Sequence, residues 1–251
     1  MTRLVRAEFL KLRTTQVWFW LLVGTIAISA LLIVAQIAPS TGVRKASDVP
    51  EMFTSSSTAY IVVFVLGVLG ITTEFRYQTI TPTVLQTPSR WAIVTAKMIT
   101  YAILGAVYAI VAVLAQLAVA LPWLSAKHIK VDFGSGAVQH AMIGVFGTVA
   151  LFGIVGLGVG ALIKNQIVAV VVGIIFLAVL ENLLLLIPGV RYAWPYTPSG
   201  ASRSILHVSG STEITGGVHV LPVGGGIVVL LLWAFVPAII GASYSMNRDI
   251  T

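Results

Sequence analysis

Cysteine is absent from the 251 residues. Charge is scarce as well: 9% of the chain is Asp, Glu, Lys or Arg, against about a quarter in a soluble domain. Without cysteine there is no disulfide framework, thiol nucleophile or thiolate metal site. With so little charge, a soluble fold of this size has too little polar surface to cover itself. A nucleotide cradle of the form G-x-x-x-x-G-K-S/T is also missing, so ATP hydrolysis by this chain alone is excluded as a reading. Gly156-x-Gly158-x-x-Ala161 has the spacing of a dinucleotide fingerprint, but no strand precedes it and it sits inside an apolar run. His128, His140, His207 and His219 show no metal-ligand spacing and read as surface or interfacial groups. Ser, His and Asp are too scattered to argue a hydrolase.

What is present is hydrophobic. Such residues make up 58% of the chain, and mean hydropathy is +1.00. The apolar runs predict an all-α integral membrane protein with a single transmembrane domain over 1–251. Six spans are expected, at about 17–38, 58–75, 91–121, 138–163, 167–187 and 223–244. The third exceeds the ~20 residues a crossing needs, so it is tilted or extends beyond the bilayer. The fourth carries Gly144, Gly147, Gly153, Gly156, Gly158 and Gly160, a spacing that lets helix backbones approach closely in lipid. Residues 39–57 read as a polar connection, and 188–222 as a long one with four prolines.

Ahead of the first span, residues 2–16 place Leu4, Val5, Phe9 and Leu12 near helical spacing among Arg3, Arg6, Lys11 and Arg13, with Glu8 between them. That is a basic amphipathic helix suited to the headgroup layer. A plain charged start to a transmembrane helix fits the same residues, and a signal peptide fits less well because the following run is too long.

The polar break at Thr73–Lys97 organises the chain. Glu74 and Arg76 stand at its entrance, Pro82 and Pro88 interrupt it, and Arg90 and Lys97 mark its exit. Gln78 to Gln86, with Thr81 and Pro82, can form a short helix stiff enough to receive a push. Glu74 and Arg76 can fix its hinge by pairing across the span end or with the basic N-terminal helix. An ordinary solvated loop fits the composition too. Six spans return the chain to its starting side. That side holds nine Lys/Arg against six on the other, which places both termini in the cytoplasm and the net charge of +7 mostly beside them.

Glu181 is the acid well inside a predicted span. About 14 residues at ~1.5 Å each set it ~21 Å from the start of the fifth span, in the outer third of the membrane. Buried carboxylates there are functional candidates by default. Two readings fit: a substrate-path or gating acid with Asn182 beside it, or a structural acid paired with Arg191 or Arg203, or hydrogen-bonded near the interface.

The layout resembles the membrane subunits of ABC-2-type, type V exporter-like ABC transporters. R-A-E-F-L-K-L-R-T-T (Arg6 to Thr15) looks like their connecting helix, bringing in Arg6, Glu8, Lys11 and Arg13. T-E-F-R-Y-Q-T with T-P-S-R-W and A-K (Thr73 to Lys97) is similar to their second-to-third-span loop. G-V-G-A-L-I-K-N-Q-I-V-A-V (Gly158 to Val170) is similar to their fourth-to-fifth-span turn. The resemblance implies a permease in the plasma membrane. It further implies a second permease copy or paralogue as dimer partner, and a cytoplasmic ATPase that binds ATP and Mg on its own chain. Glu74, Arg76, Gln78, Thr81, Pro82, Gln86 and Arg90 would then couple to that ATPase, and 188–222 would carry short re-entrant helices near the outer face. No cofactor and no nucleic acid is expected on this chain. The alternative class is a stand-alone secondary carrier or membrane enzyme. Internal repeats or converging polar groups, the signatures of those classes, are not found in the sequence.

Overall fold

In the computed structural model the described residues are 1–37, 48–77, 90–129, 131–206, 213–214 and 217–248. Among them six helices are long and apolar enough to cross a bilayer, and the protein is an all-α membrane protein. An N-terminal helix α1 (Thr2–Thr14) leads into α2 (Val17–Ile37). A short α3 (Val49–Thr54) and a 3-10 turn (Ser55–Thr58) run into α4 (Ala59–Arg76). Then come α5 (Arg90–Ala126), α6 (Gly136–Ile163), α7 (Gln166–Ile175), a π-helical turn (Phe176–Leu180) and α8 (Glu181–Leu184). A 3-10 segment (Arg191–Tyr196), α9 (Pro198–Leu206) and a hairpin of two-residue strands, β1 (Glu213–Ile214) and β2 (Val218–His219), precede α10 (Val223–Arg248).

The second crossing corrects the expected boundary near 58. Helix begins at Val49, inside the stretch read as a polar connection. Pro50 sits in the first turn, where its missing N–H costs nothing. Thr54 and Ser55 turn their hydroxyls onto the carbonyls of Glu51 and Met52, so the serine run is helical. Val49, Met52 and Phe53 are buried against Ile33, Ile37, Leu124 and Val138. Polar composition hid a packed helix.

α6 is the central pillar, packed by α4, α5 and α10. Its glycines explain how. A Cβ on Gly156 would overlap the carbonyl of Phe64, and one on Gly67 of α4 would overlap that of Gly153. A Cβ on Gly153 would lie 2.6 Å from the carbonyl oxygen of Tyr101, and one on Gly158 would lie 2.6 Å from the backbone N of Ala238. Lipid supplies no hydrophobic drive between helices, so such close backbone contact is what holds them together. Gly147 has open space around it and takes no part. Lys164 closes α6 in the left-handed region (φ 58°), and Asn165 caps α7 by accepting from the N–H of Val168 at 3.1 Å.

Candidate functional site

At the end where α4 stops and α5 begins, four charged side chains from three helices converge. Lys97 Nζ donates to Glu8 Oε2 at 2.6 Å and to Glu74 Oε1 at 2.7 Å. Lys11 Nζ donates to Glu8 Oε1 at 2.9 Å and to Glu74 Oε1 at 2.7 Å. Two acids face two bases, so the cluster is neutral. Lys97 is 2% exposed and both carboxylates are buried, while Lys11 is 44% exposed at the rim. Burial pulls the Lys11 ammonium down, but hydrogen bonding and charge attraction from Glu74 and then Glu8 outweigh it. Its pKa is raised above the ordinary lysine value.

Local sequence explains the placement. α1 turns Phe9 and Leu12 onto the core and Glu8 with them, while Arg6 and Arg13 stay exposed. Glu74 lies two residues before the end of α4, and Lys97 two turns into α5, where its side chain is buried. The cluster therefore ties α1 to both helices that flank residues 78–89. Arg76 does not join it. Its guanidinium lies 5.6 Å from the Tyr77 ring centre and donates to Gln166 Oε1 at 3.4 Å, and Lys164 Nζ lies 5.4 Å from the Phe75 ring centre. The end of α4 thus touches the α6–α7 turn. Gln78, Thr81, Pro82 and Gln86 lie outside the described residues, and Arg90 is described only as the first residue of α5. Sequence reasoning put Lys97 at the loop's exit without giving it partners. The signal was a lysine well inside an apolar helix, which needs a counter-charge.

Glu181 occupies a different setting. Its side chain is fully buried, and Oε2 accepts from the backbone N–H of Ser199 at 3.0 Å, in the first turn of α9. The Ser199 and Thr197 hydroxyls lie beside the carboxyl, and Tyr60 Oη is 3.5 Å from Ser199 Oγ. Oε1 has no hydrogen-bond partner among the described residues. Pairing with Arg191 or Arg203, one arrangement the sequence allowed, is absent among the described residues: neither forms an ion pair with Glu181, and Arg191 lies over the ring of Tyr192. Asn182 is not beside the acid in space. It is exposed, and its amide donates to the carbonyl of Ala178 at 2.9 Å. Neighbouring helical residues point about 100° apart.

The other polar anchors of α9 and of the 3-10 segment before it are structural. His140 Nε2 meets the carbonyl of Ile205 at 2.9 Å, and Trp233 Nε1 donates to the carbonyl of Tyr196 at 2.9 Å. Among the described residues no group of three or more His, Cys, Asp or Glu could hold a metal.

Residues 4–180 match the family described as ABC-2 family transporter protein, well over half of the chain. No curated protein matches it.

Proposed function

Because the chain belongs to the ABC-2 transporter family and is a permease of ABC-type transport, we propose that it forms the translocation path of an ATP-driven exporter. In this reading a separate cytoplasmic ATPase holds ATP and Mg, and a second permease copy or paralogue completes the pathway. Both termini and the 74–90 loop face the cytoplasm of a cell whose plasma membrane holds the complex.

The observation that carries the reading is the Glu8–Lys11–Glu74–Lys97 cluster. An ATPase pushing on 78–89 would reach the bilayer through the two helices on either side. If these moved independently, the stroke would be lost in bending. The cluster joins both to α1, and Arg76 with Gln166 joins the end of α4 to the next turn of the same side. A push on the loop then moves α1, α4 and α5 as one body. Glu74, Arg76 and Arg90 bracket the loop, Gln78, Thr81, Pro82 and Gln86 contact the ATPase, and Glu8 and Lys11 carry the motion to the connecting helix, with Arg6 and Arg13 held toward headgroups.

The test is purification of the tagged chain from detergent-solubilised native membranes. A stoichiometric ATPase is expected to co-purify, and to be lost when residues 81–86 are scrambled in a variant that still reaches the membrane. A chain that purifies alone, where other ABC complexes stay whole, would replace this reading with a stand-alone carrier or membrane enzyme.

A further inference from the structure

Four buried positions line one side of the fifth crossing: Ala169, Gly173, Leu177 and Glu181. They are spaced by four. In a regular α-helix such a stripe drifts by roughly 40° per step, so over three steps Glu181 would swing about 120° away from the protein. The π turn at Phe176–Leu180 slows the rotation and brings the acid back into the packed interior. π turns are rare and are frequently found at functional sites. This one has the effect of burying a carboxylate that a regular helix would leave outside.

What the carboxyl meets there is incomplete. One oxygen is held by the Ser199 N–H, and the other is buried without a partner among the described residues. The arginines on the two nearest segments, Arg191 and Arg203, do not pair with it. Around it stand hydroxyls from Ser199, Thr197 and Tyr60, and the Tyr60 ring lies 4.4 Å from that of Phe152. A carboxylate with a tyrosine close to its hydrogen-bonded turn is a composition suited to an organic cation. From these observations we propose that Glu181, with Tyr60 and the Thr197–Ser199 turn, binds the positively charged group of a hydrophobic cation once α9 lifts from it. The proposal rests on the reading of the chain as a translocation path, and names the class of molecule that path accepts.

The experiment uses the chain purified from native membranes, with whatever remains bound to it, in phosphatidylcholine nanodiscs. Tetraphenylphosphonium is the probe, and tetraphenylborate is the anion of matching size and shape. Saturable binding of the cation is expected, weakened at least tenfold in Glu181→Gln, with binding of the anion unchanged. In a chain without cysteine, Ser199→Cys gives a single thiol. Its alkylation is expected to slow when the cation is present and to be unaffected by the anion. Equal affinity of wild type and Glu181→Gln for the cation, or an alkylation rate indifferent to it, would overturn the proposal. The thiol assay decides the matter if Glu181→Gln fails to assemble. No nucleotide enters either measurement, so absence of a co-purifying ATPase leaves this result standing separately.

Discussion

The protein buries acids in two places and treats them oppositely. At the end of α4, Glu8 and Glu74 are matched by Lys11 and Lys97, charge for charge. At the start of α8, Glu181 has a backbone N–H and hydroxyls but, among the described residues, no base. Both are enclosed by apolar helices. The difference teaches that burial alone does not identify a working acid. A carboxylate whose charge is cancelled by the protein is a rivet, whereas one left without a cation is available to something that arrives.

The largest effect is expected from Lys97→Met. It leaves two buried carboxylates with only the half-exposed Lys11, and removing one member of a buried pair typically costs ~3–5 kcal/mol. Thermal unfolding in detergent reads this as a large drop in midpoint. A shift no larger than that of an exposed-site substitution would break the comparison. Next, exchange of the charges in Glu74→Lys with Lys97→Glu should recover part of what either single change loses, with a coupling of ~1–3 kcal/mol in a double-mutant cycle. Additive losses would mean that the groups do not act as a unit.

Glu181→Gln should leave stability within about 1 kcal/mol of wild type, since the amide oxygen still accepts from Ser199 and no paired charge is orphaned. Transport should fall while the complex still assembles, so flux into inverted vesicles separates the two sites where unfolding does not. Normal flux would remove Glu181 from the mechanism. The smallest effect belongs to Lys11. Its raised pKa adds stability that is fully present below the unfolded lysine value of about 10.4 and is lost only as pH rises through the higher folded value. Unfolding midpoints should therefore show no Lys11-dependent change between about pH 6 and 9 when wild type is compared with Lys11→Ala, the lysine being charged in both states throughout that range.

The sequence made one of these regions far more legible than the other. Glu181 stands out in an apolar run, so its singularity is visible without a fold. The rivet is not visible in the same way, because three of its four pairs span 89, 63 and 23 residues and exist only once three helices meet. Glu8 reads as a stray acid in a basic helix until Lys97 is beside it. The six crossings were readable because bilayer thickness sets a length that composition reports directly. The helical start at Val49 was not, since proline and serines have opposite meanings in a loop and in a first turn. Nor could periodicity disclose the π turn, which changes the very period being counted.

The glycine seam between α4 and α6 has a mechanical consequence. Where two backbones touch with no side chains between them, there is no compliant layer to absorb a displacement. Turning one helix about its axis against the other would drive Val155 or Leu157 into the notch that Gly156 leaves for the carbonyl of Phe64. The pair is therefore keyed like a shaft in its slot. Whatever turns one of the two helices turns the other.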